Sequence, residues 1–238
     1  MRTVEKYQKN PASFRDPSGF VFLIEGLIHR QVNREYQENY DCLINSGLYD
    51  RLVSDGLLIS HTEVNLEQAV TREAYKVIKP AQVPFISYPY EWCFSQLKHA
   101  ALLTLEIQQK ALDFEMSLKD CSAYNIQYKD GKPIFIDSLS FERYRAGEPW
   151  VAYRQFCQHF LAPLALMSQK DIRLQQLLRV YIDGIPLDLA GSLLPARSWA
   201  NFALLSHIHL HAKSQKHFAG QSLSSKHGKM GRTAFFGL

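Results

Sequence analysis

A chain of 238 residues with 46% apolar content can bury one large core or two lobes sharing a cleft, and its composition is unlike that of a disordered protein. The formal charge of +4 gathers near the C-terminus instead of along an aromatic-laced stripe, so nucleic acid is not the expected partner. Cys42, Cys93, Cys121 and Cys157 make no CxxC pair and no zinc-like spacing, which points to free thiols in a cytoplasmic protein. The polar start MRTVEKYQKNPASFRD carries no leader-like apolar core, and no apolar run reaches the ~18 residues of a membrane span, so export and membrane insertion are not expected.

After this polar arm, GFVFLI at 19–24 and LIHRQV at 27–32 are β-prone runs joined by Glu25-Gly26, which predicts a hairpin. Tyr36, Tyr40, Leu43, Ile44, Leu48 and Leu52 recur at spacings of three and four, predicting an amphipathic helix over 34–54 with Gly47 as a point of interruption and Gly56 as its stop. Short strands are expected at Leu57 to Ser60, Tyr75 to Ile78 and Pro84 to Tyr88. From Trp92 to Phe114 there is neither Gly nor Pro, and apolar residues keep helical spacing, so a long helix is expected there. Two strands, Ile126 to Tyr128 and Pro133 to Ile136, then bracket the Asp130-Gly131 turn. Residues 151–167 and 171–182 read as helices, the first kinked at Pro163; 183–197 reads as a connection, and 199–212 as a last helix. The remaining 213–238 mixes Gly, Ser and Lys and reads as a flexible basic tail.

The order of long helix, loop, Asp120, Asn125, short hairpin and then Asp137 at the end of an apolar strand suggests phosphoryl transfer. That chemistry needs a divalent metal held by hard oxygens and a carboxylate beside the attacking hydroxyl. Asp137, emerging from PIFIDSLSF, suits a metal ligand because the strand fixes its carboxylate. Asn125 offers a neutral oxygen to the same ion, Asp120 lies five residues earlier on one loop, and Lys119 beside it would offset phosphate charge. The alternative is that all three cap separate turns.

LKDCSAYN followed by IQYKDGKPIFIDSL resembles the catalytic loop, hairpin and metal-ligand segment of the protein-kinase and aminoglycoside-phosphotransferase superfamily. The resemblance implies an α+β, two-lobed kinase-like fold: a small β-rich N-lobe over 1–90 and a helical C-lobe over 91–212 carrying the segment 118–141. It places Asp120 at the catalytic-base position and Asn125 and Asp137 at the metal positions, with Mg2+ and ATP as cofactors. Two departures stand out: Leu118 replaces the usual His, and Ser138-Leu139 follow the metal Asp where a Gly is usual. A narrower likeness runs through PFISYPYEWCFSQL, LKDCSAYNI, IFIDSLSFE and PWVAYRQFCQHFLAPLAL, which resemble the region preceding the methyl-transfer domain of nodulation-type class I S-adenosylmethionine-dependent methyltransferases. It implies a module that serves substrate or partner binding beside a methyltransferase domain. No strand leads into a Gly-rich turn with a later acidic residue, so no S-adenosylmethionine site is expected within this chain.

Two expectations thus stand: an ATP-dependent phosphotransferase acting on a hydroxyl acceptor, or a noncatalytic kinase-like module. For the small-lobe cation that meets the nucleotide phosphates, Lys76 in EAYKVIK and Arg30 in LIHRQV are the candidates, each also readable as a solvated strand charge. The span 87–92, with Glu91, is where a hinge would meet the adenine, or where aromatic side chains plug the lobe junction. His207, His209 and His211 invite a metal, yet no acidic or Cys partner lies near them in sequence, and ordinary hydrogen-bonding histidines are expected.

Overall fold

The structure, a computed structural model, describes residues 7–9 and 16–211. The expected tail lies outside them. The described part is mixed α and β, with a small antiparallel sheet and several helices, consistent with the α+β class.

The sheet has five strands in the order β1-β2-β3-β5-β4: β1 (Gln8–Lys9), β2 (Gly19–Ile24), β3 (Leu27–Asn33), β4 (His61–Val64) and β5 (Ala74–Pro80). The hairpin of β2 and β3 turns where expected, because Glu25 (φ 50°) and Gly26 (φ 78°) both take the left-handed conformation that matches strand twist. Strand β1 falls inside the segment read as a polar arm. It is too short for any periodicity to announce it.

Between β3 and β4 the expected helix is divided. A 3-10 turn (Arg34–Tyr36) leads into α1 (Gln37–Asn45), Gly47 breaks the chain at φ 85°, and α2 (Leu48–Ser54) follows. The stretch read as a strand at 57–60 joins another element. Leu58 forms a parallel bridge with Phe135, while Ile59 N donates to Phe135 O and Phe135 N to Leu57 O. The sheet strand is β4 instead. The strand expected at 84–88 is also absent: Ser87 is held in an extended connection by the Gln127 amide, which accepts from Ser87 N and donates to Ser87 O.

The long helix α3 (Phe94–Asp113) forms as expected, its first turn fixed by Gln96 Oε1 accepting from Cys93 N. Its buried residues, among them Leu97, Ala100, Leu103, Ile107 and Ala111, carry the main core. Next come β6 (Met116–Leu118), the hairpin of β7 (Ile126–Lys129) and β8 (Lys132–Phe135), and β9 (Phe141–Arg143), which returns antiparallel to β6. The expected Asp130-Gly131 turn has both residues at positive φ.

Beyond β9, α4 (Tyr153–Phe156) runs through a π-helical stretch (Cys157–Leu161) into α5 (Ala162–Gln169). Pro163 is the second residue of α5, directly after the π-helical stretch, so the chain widens just ahead of the residue that brings no N–H to the helix. Residues Ile172–Gln176 form a 3-10 helix that leads into α6 (Leu177–Val180). The segment read as a plain connection contains α7 (Leu187–Leu193), which buries Leu187 and Ala190. The last helical region is a 3-10 turn (Ala196–Ala200), α8 (Phe202–Leu204) and a π-helical stretch (Leu205–Leu210). A second, smaller core joins Val32, Tyr36, Tyr40 and Ile78 to Leu139, a residue from far along the chain.

Candidate functional site

The site is built on the loop between β6 and β7 and on the segment between β8 and β9. Because β6 and β9 pair, both are anchored at the same place. Lys119 N and Asp120 N point at Ser140 O, at 2.8 and 3.4 Å, and Ser140 N donates to Asp137 O at 3.3 Å. Asn125 Nδ2 donates to Ser140 Oγ at 3.3 Å. The backbones of Asp120 and Asp137 and the side chain of Asn125 therefore meet at one buried serine, which sequence spacing alone does not single out.

Each of the three already has partners. Asp120 Oδ1 accepts from Ser122 N at 3.0 Å and from Gln155 Nε2 at 2.8 Å, while Gln155 Oε1 accepts from Cys121 N at 2.7 Å. Gln155, on α4, thus clamps the loop through both ends of its amide. Asp137 Oδ1 accepts from Leu139 N at 2.8 Å and from Arg30 Nη1 at 2.7 Å, and its Oδ2 accepts from Arg30 Nη2 at 3.2 Å. This two-point, charge-assisted pairing suits the planar guanidinium fork.

Of the two cations considered for the small sheet, Arg30 meets Asp137, whereas Lys76 on β5 pairs with Glu63 at 2.5 Å. Glu91 is exposed and accepts from Tyr88 N at 2.8 Å, closing its own turn. In the connecting span, Trp92 is 1% exposed and fills the core, whereas Tyr88 is exposed and stacks on Tyr90.

Three further groups tie the sheet to this loop cluster. Tyr36 OH donates to Phe141 O and accepts from Phe141 N, and burial first, then the Asp137 charge, pushes its phenol well above the usual range. Lys119 Nζ donates to Ser18 Oγ at 2.7 Å and lies 4.6 Å above the Tyr36 ring. Leu139 is fully buried in the small core. A Gly at that position would leave the Asp137 segment free to turn; Leu139 pins it to the sheet.

Magnesium takes near-octahedral oxygen ligands and keeps several waters. Here both Asp137 oxygens face a guanidinium, Asp120 Oδ1 serves two donors, and Asn125 presents its amide nitrogen to Ser140. In this arrangement the Asp137 carboxylate is committed to Arg30, and among the described residues no group of three or more His, Cys, Asp or Glu is placed to hold a metal. His207 and His211 instead pack on Tyr153, whose hydroxyl meets His207 Nδ1 at 2.5 Å, and His209 meets Ser198 Oγ at 2.8 Å.

No protein-family model matches the chain. It is 37% identical over 212 residues to the nodulation protein NoeA of Rhizobium meliloti (strain 1021), a match covering 88% of this chain and 44% of that protein. The chain is thus similar to part of that nodulation protein and spans less than half of its length. Among the described residues, no helix is long and apolar enough to cross a membrane.

Proposed function

We propose that this chain is a noncatalytic kinase-like module that binds a substrate or partner for an S-adenosylmethionine-dependent methyl-transfer unit. The kinase-like part of the reading is supported by element order. A five-stranded antiparallel sheet holds a helical pair between its third and fourth strands. It is followed by a long helix, a loop, a hairpin and a strand that returns to the one before the loop. In a kinase the phosphate-binding Lys stands on the third strand, and Arg30 stands on β3 here. The two lobes of this reading are 1–90 and 91–212. The module part rests on the relative, a nodulation protein more than twice the length of the aligned region.

The observation that carries the noncatalytic reading is the Arg30–Asp137 pair. A phosphotransferase keeps that carboxylate for its metal; here a cation from the chain itself neutralises it. Calorimetric titration of the purified chain with ATP, with and without magnesium, together with an assay for ADP release, tests the reading. No ADP release and no magnesium-dependent gain in affinity are expected. For the partner, co-elution with the part of the rhizobial relative that this chain does not cover is expected in gel filtration.

The second reading is a magnesium- and ATP-dependent phosphotransferase acting on a hydroxyl acceptor, favoured by the meeting of the backbones of Asp120 and Asp137 and the side chain of Asn125 at Ser140. It requires Arg30 to leave Asp137. Magnesium-dependent ATP turnover that disappears in Asp137→Ala would establish it and overturn the first.

A further inference from the structure

We propose that Asp16 is an internal ligand filling an oxyanion site made by Arg30 and Lys119, and that a phosphate-class anion takes this site when the Asp16 carboxylate is withdrawn. The proposal rests on the kinase-like reading above and extends it.

Arg30 lies between two carboxylates, and its contacts with them are unequal. It meets Asp137 at 2.7 Å but Asp16 Oδ2 only at 3.5 Å, the outer limit of a hydrogen bond. Its Nε is buried and has no partner. A guanidinium carries five donors in a fixed fork, so the side of Arg30 away from Asp137 is poorly satisfied. The Arg30 side chain is 12% exposed and that of Asp16 is 37% exposed, which makes the weaker partner the one that solvent reaches.

Lys119 is the second cation. Its Nζ donates to the buried Ser18 Oγ and lies over Tyr36, and among the described residues no carboxylate is within ion-pair distance of it. Both cations therefore engage the same turn, whose ends are joined by Asp16 Oδ1 accepting from Ser18 N at 2.9 Å. One carboxylate and one hydroxyl supply the oxygens that a single tetrahedral oxyanion would supply by itself.

The turn is seated closely. A Cβ on Gly19 would lie 2.0 Å from Gln31 O and 2.9 Å from a Leu139 methyl, so only glycine lets the turn rest on β3 and on the Asp137 segment. Charge completes the argument. Arg30 and Lys119 balance Asp16 and Asp137; removing the Asp16 charge leaves a half-buried positive excess, which a bound anion would restore.

Asp16→Asn keeps an oxygen to accept from Ser18 N, and replaces the Oδ2 that faces Arg30 with an amide NH2, so both the charge and the acceptor for Arg30 are removed. The full chain, unaltered and as Asp16→Asn, is titrated calorimetrically with inorganic pyrophosphate in metal-free, low-chloride buffer. The variant is expected to bind about tenfold tighter, and adding Lys119→Met is expected to return affinity to that of the unaltered chain. Equal affinity of the unaltered chain and Asp16→Asn, or binding that survives Lys119→Met, would overturn the proposal. In a parallel titration with ADP, a gain at least equal to that for pyrophosphate upholds it, and no gain with either probe sinks it. Should Asp16→Asn fail to fold, Ser18→Ala frees Lys119 while leaving Asp16 in place. It is expected to raise pyrophosphate affinity about threefold, and no change there refutes the plug. Because metal and turnover play no part, these results stand apart from the magnesium-dependent assay of the site's activity.

Discussion

Leu139 stands two residues after Asp137, and its burial shows what it does there. Its side chain closes the small core of Val32, Tyr36, Tyr40 and Ile78, so the adjacent Asp137 is held for Arg30 instead of being free to reorient. Leu139→Ala is expected to cost about 3 kcal/mol in denaturant unfolding, the sum of lost transfer energy and a cavity. His159 argues at the same scale. It is 1% exposed, its Nδ1 has no partner, and burial lowers its pKa to about 4 against a weaker opposing pull from Asp183. The unfolded chain therefore binds the proton more readily between about pH 6.5 and pH 4, and stability falls as pH drops through that window. From this group alone a loss of about 2 kcal/mol is expected between pH 7 and pH 5. His61, lowered to about 4 by burial, adds in the same direction. Unfolding curves at the two pH values check this, and His159→Gln should flatten the slope.

Elements long enough to show periodicity were readable in advance, and short ones were not. The helix over 94–113 and the two hairpins follow from spacing and turn residues. The three-residue strands at 116–118 and 141–143 exist because they pair with each other, a fact that no local pattern carries. That the segments carrying Asp120, Asn125 and Asp137 lie close together was legible because their spacing spans a single supersecondary unit. Gln155, Ser140, Tyr36 and Asp16 were not, because each acts across a sequence gap that only the fold closes. Gln155 gives this a measurable form. It is the link between α4 and the loop, so Gln155→Leu is expected to cost about 2 kcal/mol. Its local mark would be faster amide exchange at Cys121, followed by hydrogen-exchange mass spectrometry.

At the scale of the whole molecule, the small sheet is joined to the rest by side chains more than by backbone pairing. Tyr36 reaches Phe141, Arg30 reaches Asp137, and Lys119 reaches Ser18. Tyr36→Phe removes the hydroxyl and strands the Phe141 backbone groups it serves, so a loss of about 1–3 kcal/mol is expected from the same unfolding measurement. Leu57 to Ile59 add a tie of another kind, bridging to Phe135 far downstream. That bridge bears on synthesis. A ribosome delivers the five strands of the sheet well before it delivers residues 135–141, so the emerging N-terminal portion must wait with its inner surface incomplete. Nascent chains arrested after residue 110 should be cut readily by protease, and chains arrested some 40 residues past Arg143 should resist it. In the cell, that interval is when this protein would most need a chaperone.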